Sequence, residues 1–225
     1  MWDWASFFHY IHSPYLLTGA AISLGLSVGA MLIGLVLGLI AAMMRMSERR
    51  WLRLPASGYV WLFRGTPVLV QLIIIYTGLP QLGIQLGVVA SALIGLGLNE
   101  GAYLAEIIRS GVLAVPKGQF EAARAIGMTW PKTMRVVVMP QALRHVIPGL
   151  VNSFIGLFKD PSLVSIVALF DLLGQVHASF ADPVWATPTT LFTGFAFAGM
   201  IYFVFCFGMS RYSLFVENRL NTHRW

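Results

Sequence analysis

Residues 15–44 read YLLTGAAISLGLSVGAMLIGLVLGLIAAMM, and no Asp, Glu, Lys or Arg interrupts them. A helix needs roughly 20 predominantly apolar residues to cross the hydrocarbon core of a bilayer, so this block is long enough to span a membrane. A second uncharged block, 183–210, meets the same requirement. The chain is 57% hydrophobic and 11% charged, which lies outside the range of soluble globular domains. The sequence therefore predicts an all-α membrane protein that forms a single transmembrane domain over residues 1–225.

Five membrane spans are predicted from the apolar segments. They cover about 15–44, 55–79, 86–108, 141–172 (with an interruption) and 188–211. Span one also carries two glycine pairs at four-residue spacing, Gly25–Gly29 and Gly34–Gly38, which allow helix backbones to approach closely. Internal packing against another span and a seam to a second chain both fit this pattern.

Lysine and arginine fall into three groups along the predicted topology. These groups are Arg45, Arg49, Arg50 and Arg53 after span one, Arg109, Lys117, Arg124, Lys132, Arg135 and Arg144 between spans three and four, and Arg211, Arg219 and Arg224 after span five. Five crossings place all three groups on one face, which the positive-inside rule assigns to the cytoplasm. The N-terminus is then outside and the C-terminus cytoplasmic. The net charge of +6 reflects this topology and attraction to anionic membrane lipid, so no nucleic-acid partner is expected.

A polar insert, about 113–140, separates spans three and four and is predicted to form a helix, a glycine turn and a second helix. Pro116 can begin the first helix because its missing N–H would be unpaired in the first turn. Gly127 stands where a glycine commonly ends a helix. Thr129 is a plausible N-cap for the second helix, and Pro140 is expected to interrupt the chain before span four.

The first helix of the insert is short and amphipathic. Its surface consists of small residues, Ala122, Ala123 and Ala125, with Phe120 and Ile126 as apolar anchors. Such a short helix is marginal in isolation. It could insert into a groove of a partner protein or lie flat on lipid headgroups, and the residues alone leave both alternatives open.

The stretch EAARAIGMTWPKTMRVVVMP (121–140) resembles the EAA loop of type I ABC importer permeases, which has Glu-Ala-Ala, a glycine four residues after the second alanine and an apolar run ending in proline. Three further stretches resemble the polar amino acid subfamily (histidine, arginine, glutamine and glutamate type): YVWLFRGTPVLVQLIIIYTGLP (59–80), NEGAYLAEIIRSGV (99–112) and FKDPSLVSI (158–166). The resemblance covers about 50–220 well and span one loosely. Pro161 is a departure, because the usual sequence after Lys-Asp is Thr-Ser-Leu.

The resemblance implies the transmembrane permease subunit of an ATP-driven ABC importer that moves a polar amino acid across the bacterial inner membrane by alternating access. It implies three partners: a cytoplasmic ABC ATPase dimer, a second permease chain (identical or related) and a periplasmic or lipid-anchored substrate-binding protein. The implied coupling helix, which contacts the ATPase, contains Glu121, Ala122, Ala123, Arg124 and Gly127.

The chain contains no Gly-x-x-x-x-Gly-Lys-Ser/Thr phosphate loop. No ATPase site and no cofactor of its own are therefore expected, and ATP and Mg would bind the partner subunit. His9 and His12 form His-x-x-His without a further ligand nearby, so no metal site is expected. No Ser/His/Asp or Cys/His set suggests a catalytic residue.

Polar residues within span three recur at helical spacing. They are Asn99, Tyr103, Glu106 and Ser110, which share one helix face. Ionisable groups in hydrocarbon cost at least about 2.5–3.5 kcal/mol each on insertion scales, so each needs a partner, water or a ligand. Asn99, at mid-span, is either a substrate contact or a structural residue. Glu100 lies one step around the helix, and Glu106 is expected to pair with Arg109.

Span four is predicted to break at Lys159 and Asp160, because Pro161 follows them and a residue before proline disfavours helical geometry. Ser162 could cap a second half-helix running to about Leu173. Broken helices of this kind form substrate sites at the midplane of transporters. The free N–H groups near Ser162 and Lys159 suit a substrate carboxylate, and Asp160 suits an ammonium. Alternatively, Lys159 and Asp160 satisfy each other or a neighbouring span.

Arg64 lies in span two beside Gly65 and Pro67, which loosen the helix. It is expected to pair with Glu100, Glu106 or Asp160, or to extend toward the cytoplasmic face, with structural pairing favoured over substrate contact. The candidate substrate-binding residues are Asn99, Glu100, Tyr103, Lys159, Asp160, Ser162 and Arg64.

Two acidic residues, Asp171 and Asp182, are predicted to lie at the outer side of the membrane. There they would contact a binding protein or face water. The alternative function is an amino acid carrier or channel driven by an ion gradient, in which Glu100 or Asp160 would cycle a proton.

Overall fold

The computed structural model describes residues 4–180 and 188–221. This part of the chain is helical and contains no β-strand. Its α-helices are α1 Trp4–His12, α2 Pro14–Met46, α3 Arg50–Gly65, α4 Val68–Ile73, α5 Val88–Leu113, α6 Lys117–Ala125, α7 Trp130–Thr133, α8 Met139–Leu157, α9 Leu172–Ser179 and α10 Pro188–Asn221. Between them lie two π-helical turns, Ile74–Gly78 and Met134–Val138, and two 3-10 helices, Leu79–Leu82 and Asp160–Val167.

Four helical stretches in the described residues are long and apolar enough to cross a membrane, and a bent pair makes a fifth if it counts as one span. They are Pro14–Met46, the bent pair Arg50–Gly65 with Val68–Leu82, Val88–Leu113, Trp130–Val167 and Phe192–Leu220. They follow the same order along the chain as the five predicted spans and overlap them.

Helices α2 and α5 run side by side in the same direction through the middle of the fold. A Cβ atom on Gly34 would lie 2.9 Å from Cγ of Glu100, and one on Gly38 would lie 2.8 Å from Cβ of Leu104. Because real Cβ atoms do not approach so closely, the two backbones meet at a separation that glycine alone permits. The pair Gly34–Gly38 therefore serves internal packing, whereas Gly25 faces open space.

Span two is broken at the place where Gly65 and Pro67 were predicted to loosen its helix. Helix α3 is bent by 106° from the stretch Val68–Leu82. Between them Thr66 is extended, with φ −124° and ψ 146°, because a residue before proline is pushed out of helical geometry. Pro67 also lacks the N–H that would bond to the carbonyl of Phe63. The loosening expected at Gly65 and Pro67 is thus a full break between two helices.

The helices that contain spans three and five continue beyond the predicted ends of those spans. Helix α5 continues five residues beyond 108, to Leu113, and α10 continues beyond 211 to Asn221. Arg109 ends the apolar block of span three, but it does not end helix α5. Arg109 remains within α5, where its Nε donates to Glu106 one turn earlier at 3.2 Å.

The polar insert has the predicted order of helix, glycine turn and helix. Helix α6 follows Pro116 and ends before Gly127, whose φ of +80° lies in the left-handed region that glycine favours. Thr129 is extended in the N-cap position of α7, although its side chain makes no capping hydrogen bond.

Pro140 does not interrupt the chain before span four, so that prediction is wrong. A π-helical turn precedes α8, and the N–H of Met139 bonds to the carbonyl of Met134, five residues earlier. In this wider turn the backbone already departs from the usual pattern of hydrogen bonds between residues four apart. The N–H that Pro140 lacks therefore does not break the helix. Helical structure therefore continues from Trp130 into span four.

Span four breaks after α8, as Pro161 predicts. The second half is a 3-10 helix, Asp160–Val167, and not the longer α-helix expected from the sequence. Ser162 does not cap it, because its hydroxyl donates to the carbonyl of Lys159 at 2.7 Å instead of accepting from a later N–H. The 3-10 helix ends at Ala168, which adopts φ +61°.

Asp171 is fully buried, so the expectation that it contacts a binding protein or faces water is wrong. Its Oδ1 accepts from the N–H of Gly174 at 2.9 Å and caps α9. Its Oδ2 accepts from the hydroxyl of Ser23 in α2 at 3.3 Å and from that of Tyr202 in α10 at 3.0 Å. One carboxylate thus joins three helices at this end of the fold. Asp182 lies outside the described residues.

Candidate functional site

The two breaks, in spans two and four, face each other across one cavity of about 450 Å³. We call it the central cavity. It is lined by Thr66, Pro67, Val68, Asn99, Glu100, Tyr103, Ser153, Gly156, Leu157, Lys159 and Asp160. The volume is typical of small-molecule sites, and discontinuous helices are where transporters place polar groups within the membrane. Five of the seven predicted substrate-binding residues meet here; Ser162 and Arg64 do not.

The break in span two is supported by the side chain of Gln71, which is buried. Its Nε2 lies 2.9 Å from the carbonyl oxygen of Phe63 and 3.1 Å from that of Thr66. At the break these carbonyls have lost the backbone N–H groups that would donate to them in a continuous helix. The side-chain amide of Gln71 donates to them instead. Gln71 in turn accepts from Nδ2 of Asn99 at 3.0 Å.

Asn99 therefore has a structural role in addition to its place in the cavity wall. Its Nδ2 also donates to the carbonyl of Phe63 at 3.1 Å. Both roles of Asn99 were open from the sequence, and the part played by Gln71 was not predicted. The sequence nevertheless contains a signal for this role. Pro67 lacks the N–H that would bond to the carbonyl four residues before it, and the polar side chain four residues after it, within an apolar run, can donate to that carbonyl instead.

Replacing Gln71 by leucine should lower the stability of the protein by about 1–3 kcal/mol, because carbonyls at the break lose a donor in an apolar setting. The loss would appear as a lower apparent melting temperature in detergent micelles. Gln81 provides the matched control, since it is exposed and its amide bonds only to Thr77 one turn away at 3.3 Å. Equal melting temperatures for Gln71→Leu and Gln81→Leu would contradict this role.

Glu100 projects into the central cavity from α5, with 5% of its surface exposed. The hydroxyl of Ser153 in α8 donates to its Oε1 at 2.6 Å. On the other side, Gly34 leaves just enough space for the Glu100 side chain. The carboxylate is thus held between α2 and α8.

Lys159 and Asp160 enter the cavity from the break in span four. The predicted alternative was that they satisfy each other or a neighbouring span. Among the described residues neither forms a salt bridge, since all three salt bridges there have Glu106 as the acid. Three acidic or basic side chains, Glu100, Lys159 and Asp160, therefore line the cavity without forming an ion pair with one another.

Arg64 lies beside the cavity, where structural pairing was favoured. Its Nη1 is 3.8 Å from Oε2 of Glu106, which confirms that pairing. Its guanidinium also lies 5.3 Å from the ring centre of Tyr103, within cation–π range, and so contacts a residue that lines the cavity.

Glu106 receives three arginines from three helices. Arg45 of α2 and Arg109 of α5 both bind it, in addition to Arg64 of α3. The pairing with Arg109 confirms the prediction from their spacing. Arg45 was not foreseen as a partner, because its contact with Glu106 depends on α2 and α5 ending together. We call the end of the fold that contains this cluster the charged end.

Helix α6 also lies at the charged end and turns one side toward the bundle. Phe120 packs against a cluster at the ends of α5 and α8, namely Val112, Val115, Val138 and Ala142. Ala123 is buried, so its predicted place on the surface is wrong. Ile126 is 78% exposed and does not anchor the helix. Glu121, Ala122 and Arg124 are exposed, as expected.

The His-x-x-His motif falls partly outside the described side chains, because that of His9 is not among them. Where side chains are described, no group of three or more His, Cys, Asp or Glu residues gathers as metal ligands would. The candidate site is thus the central cavity, with the exposed side of α6 as a second candidate surface.

Residues 34–222 match the family described as binding-protein-dependent transport system inner membrane component. The chain belongs to this family. Its fold also matches the crystal structure of an amino acid ABC transporter with histidines, with a TM-score of 0.89, 36% identity, and coverage of 97% of this chain and 99% of that one. The MetNI methionine ABC transporter shares the fold at a TM-score of 0.70 and 21% identity.

Curated relatives of this inner membrane component include amino-acid permeases. The inner membrane amino-acid ABC transporter permease protein YhdY of Escherichia coli (strain K12) is 42% identical over 83% of this chain, which spans only 51% of its length. The L-cystine transport system permease protein TcyB of Bacillus subtilis (strain 168) is 40% identical, with 93% and 88% covered. The arginine transport system permease protein ArtQ of the same organism is 37% identical, with 93% and 94% covered.

Proposed function

We propose that this chain is the transmembrane permease subunit of an ATP-driven ABC importer that carries a polar amino acid across the inner membrane. The observation that carries the proposal is the central cavity, where two broken spans bring Lys159, Asp160 and Glu100 together. An amino acid presents a carboxylate and an ammonium, so it complements a site with both signs of charge. The named amino-acid permeases among the relatives support this assignment over a carrier driven by an ion gradient.

The charged end faces the cytoplasm in this proposal, which leaves the N-terminus outside. The three groups of lysine and arginine support that orientation through the positive-inside rule. The whole chain acts as one transmembrane domain, and the insert at about 113–140 is its cytoplasmic coupling loop.

The exposed side of α6 would dock into a groove of a cytoplasmic ATPase subunit, which binds ATP and Mg. Glu121, Ala122, Arg124 and Gly127 are exposed there, and Ile126 adds an apolar contact outside the bundle. Ala123 acts from the buried side, where it holds α6 against the bundle. An exposed large apolar residue at a helix end away from the hydrocarbon is typical of a protein contact.

Motion of α6 would be transmitted to the central cavity through α5 and α8. Phe120 packs against the apolar cluster to which α5 contributes Val112 and α8 contributes Ala142. The same two helices carry Glu100 and Ser153 in the cavity wall. Closure of the ATPase dimer would therefore move both walls together and open the cavity alternately to either side. A second permease chain, identical or related, and an external substrate-binding protein complete the transporter.

Replacing Gly127 by valine should uncouple ATP hydrolysis from transport. Its φ of +80° lies in a region that β-branched residues avoid, at a cost of about 1–3 kcal/mol, so α6 would end differently and lose its fit to the ATPase. The measurement is stimulation of ATP hydrolysis by loaded binding protein in proteoliposomes, where a loss of most of the stimulation is expected. Glu121→Gln should reduce it by a smaller factor.

Gly83 offers a matched control for backbone strain. It has φ +82° and, like Gly127, open space where a Cβ atom would be, but it lies in the turn before α5 at the other end of the fold. Gly83→Val should introduce similar backbone strain, but ATP hydrolysis should remain coupled to transport. Full stimulation in both Gly127→Val and Glu121→Gln would refute the role of this loop.

A further inference from the structure

The outward side of helix α3 begins with a group of exposed charges. Arg49, Arg50 and Arg53 are exposed there, and so is Glu48. Three positive charges and one negative charge give this group a net charge of +2. None of the four residues forms a salt bridge among residues 4–180 and 188–221, where every salt bridge has Glu106 as its acid. The three guanidinium groups are therefore open to an anion that the described part of the chain does not supply.

These charges lie at the level where lipid headgroups begin. Val60 of α3 packs in one cluster with Ala41 of α2, so the two residues mark a shared depth in the fold. From there toward the charged end, Arg45 is four residues further along α2 and Arg50 is ten residues back along α3. At about 1.5 Å per residue, these distances are roughly 6 Å and 15 Å along the helices. Arg50 therefore lies beyond Arg45, the first charged residue after the long apolar block of α2.

Further into the membrane the outward side of α3 is apolar. Trp51 and Leu54 are 68% and 64% exposed beside the arginines. Trp61 and Leu62 are 71% and 60% exposed about two turns deeper. Tryptophan is enriched where headgroups meet hydrocarbon, and arginine side chains reach from that level to polar headgroup atoms. The face therefore changes from basic to apolar in the same order in which a phospholipid changes from headgroup to acyl chain.

Gly58 leaves a notch in this apolar face. Positions 50, 54, 58 and 62 recur every four residues, so their side chains follow one row along the helix. Gly58 is exposed, and a Cβ atom added to it would have no other atom within 4 Å. Leu54 and Leu62 lie one turn to either side of it. The notch is therefore an apolar slot below the arginines, of a width that suits a single hydrocarbon chain.

We propose that the outward side of α3 binds one anionic phospholipid of the leaflet at the charged end, with its phosphate on Arg50 and Arg53 and one acyl chain along Gly58. The order of the chemical groups favours a lipid over a protein partner, because phosphate and hydrocarbon follow each other in this way in every phospholipid. A zwitterionic phospholipid carries a cation beside its phosphate, which offsets the attraction to the arginines. None of these residues lines the central cavity, so the site is separate from the proposed substrate path.

The test uses the full-length chain, delipidated in detergent together with the subunits that accompany it. Phosphatidylglycerol and phosphatidylcholine with identical acyl chains are titrated separately, and native mass spectrometry measures the affinity for each lipid. Phosphatidylglycerol should bind at least about tenfold more tightly. The double variant Arg50→Gln/Arg53→Gln should weaken its binding at least about tenfold, because two attractive charges at the headgroup are lost. Gly58→Leu should weaken it by roughly fourfold, since about one methylene less of the acyl chain is buried.

Lys132→Gln/Arg135→Gln is the matched control, because it removes two exposed positive charges from the polar insert instead of from α3. It should leave phosphatidylglycerol binding unchanged. An equal loss in this control would show general attraction to positive charge and would overturn the site on α3. Equal affinity of the unmodified chain for the two lipids would overturn it as well, even if a variant fails to fold. Loss of a protein subunit from the spectra of Gly58→Leu would show that a protein covers this face.

Discussion

Replacing Asp171 by alanine should destabilise the protein by roughly 3–5 kcal/mol, because three donors lose their acceptor in a fully buried setting. The N–H of Gly174 loses the cap of α9, and the hydroxyls of Ser23 and Tyr202 lose the atom that joins α2 to α10. A large fall in apparent melting temperature is expected in detergent micelles, measured at one fixed scan rate since membrane proteins often unfold irreversibly.

Two further variants divide this effect. Asp171→Asn keeps one carbonyl oxygen, so it should lose less stability than Asp171→Ala. Tyr202→Phe removes a single hydrogen bond and should cost about 1 kcal/mol. Glu48→Ala removes an acid from an exposed position and should leave the melting temperature unchanged. A melting temperature of Asp171→Ala close to that of Glu48→Ala would show that this carboxylate does not hold the three helices together.

Replacing Glu106 by glutamine should lower the stability of the protein by about 2–4 kcal/mol, a value between those of exposed and buried ion pairs. The reason is that Arg45, Arg64 and Arg109 would repel one another without a shared counter-ion. The side chain of Arg45 is 13% exposed and suffers most, since water cannot replace the lost carboxylate. Unlike the loss at Asp171, this one should depend on salt. Raising the salt concentration should stabilise Glu106→Gln more than the unmodified protein, because anions screen the remaining positive charges.

Arg64→Gln removes one positive charge from the cluster and leaves Arg45 and Arg109 bound to Glu106. Arg64 has the longest of the three contacts, 3.8 Å, and its side chain is 40% exposed. Removing it also relieves repulsion between arginines, so its effect on stability should stay within about 0.5 kcal/mol. Glu217→Gln should have no effect with or without salt. If the melting temperature of Glu106→Gln equals that of Glu217→Gln at low salt, the cluster contributes nothing to the joint between α2, α3 and α5.

Three prolines show how far local sequence reasoning extends. Pro161 was predicted to break a span and does so. Pro140 was predicted to interrupt and does not, because a π-helical turn absorbs its missing donor. Pro67 was noted only as loosening the helix, yet it accompanies a bend of 106°. Proline removes the same N–H in each case, and the outcome depends on what satisfies the freed carbonyl. Near Pro67 that donor is the side chain of Gln71.

The sequence by itself determined the class of protein, the order of the spans and the position of α6 between spans three and four. Those properties follow from the length of uncharged blocks and from local turn chemistry, which neighbouring residues along the chain supply. The sequence also singled out Glu100, Lys159 and Asp160, since an ionisable residue in a span always requires a reason.

Only the tertiary structure decided which charges meet. Arg45 binds Glu106 across 61 residues, and Ser153 binds Glu100 across 53, because neighbouring helices bring distant residues to the same depth. The same packing buried Asp171, expected at the surface, and exposed Ile126, expected as an anchor. A side chain's partner in a helical bundle is set by which helix lies beside it and at what rotation, and the close approach of α2 and α5 at Gly34 and Gly38 fixes both.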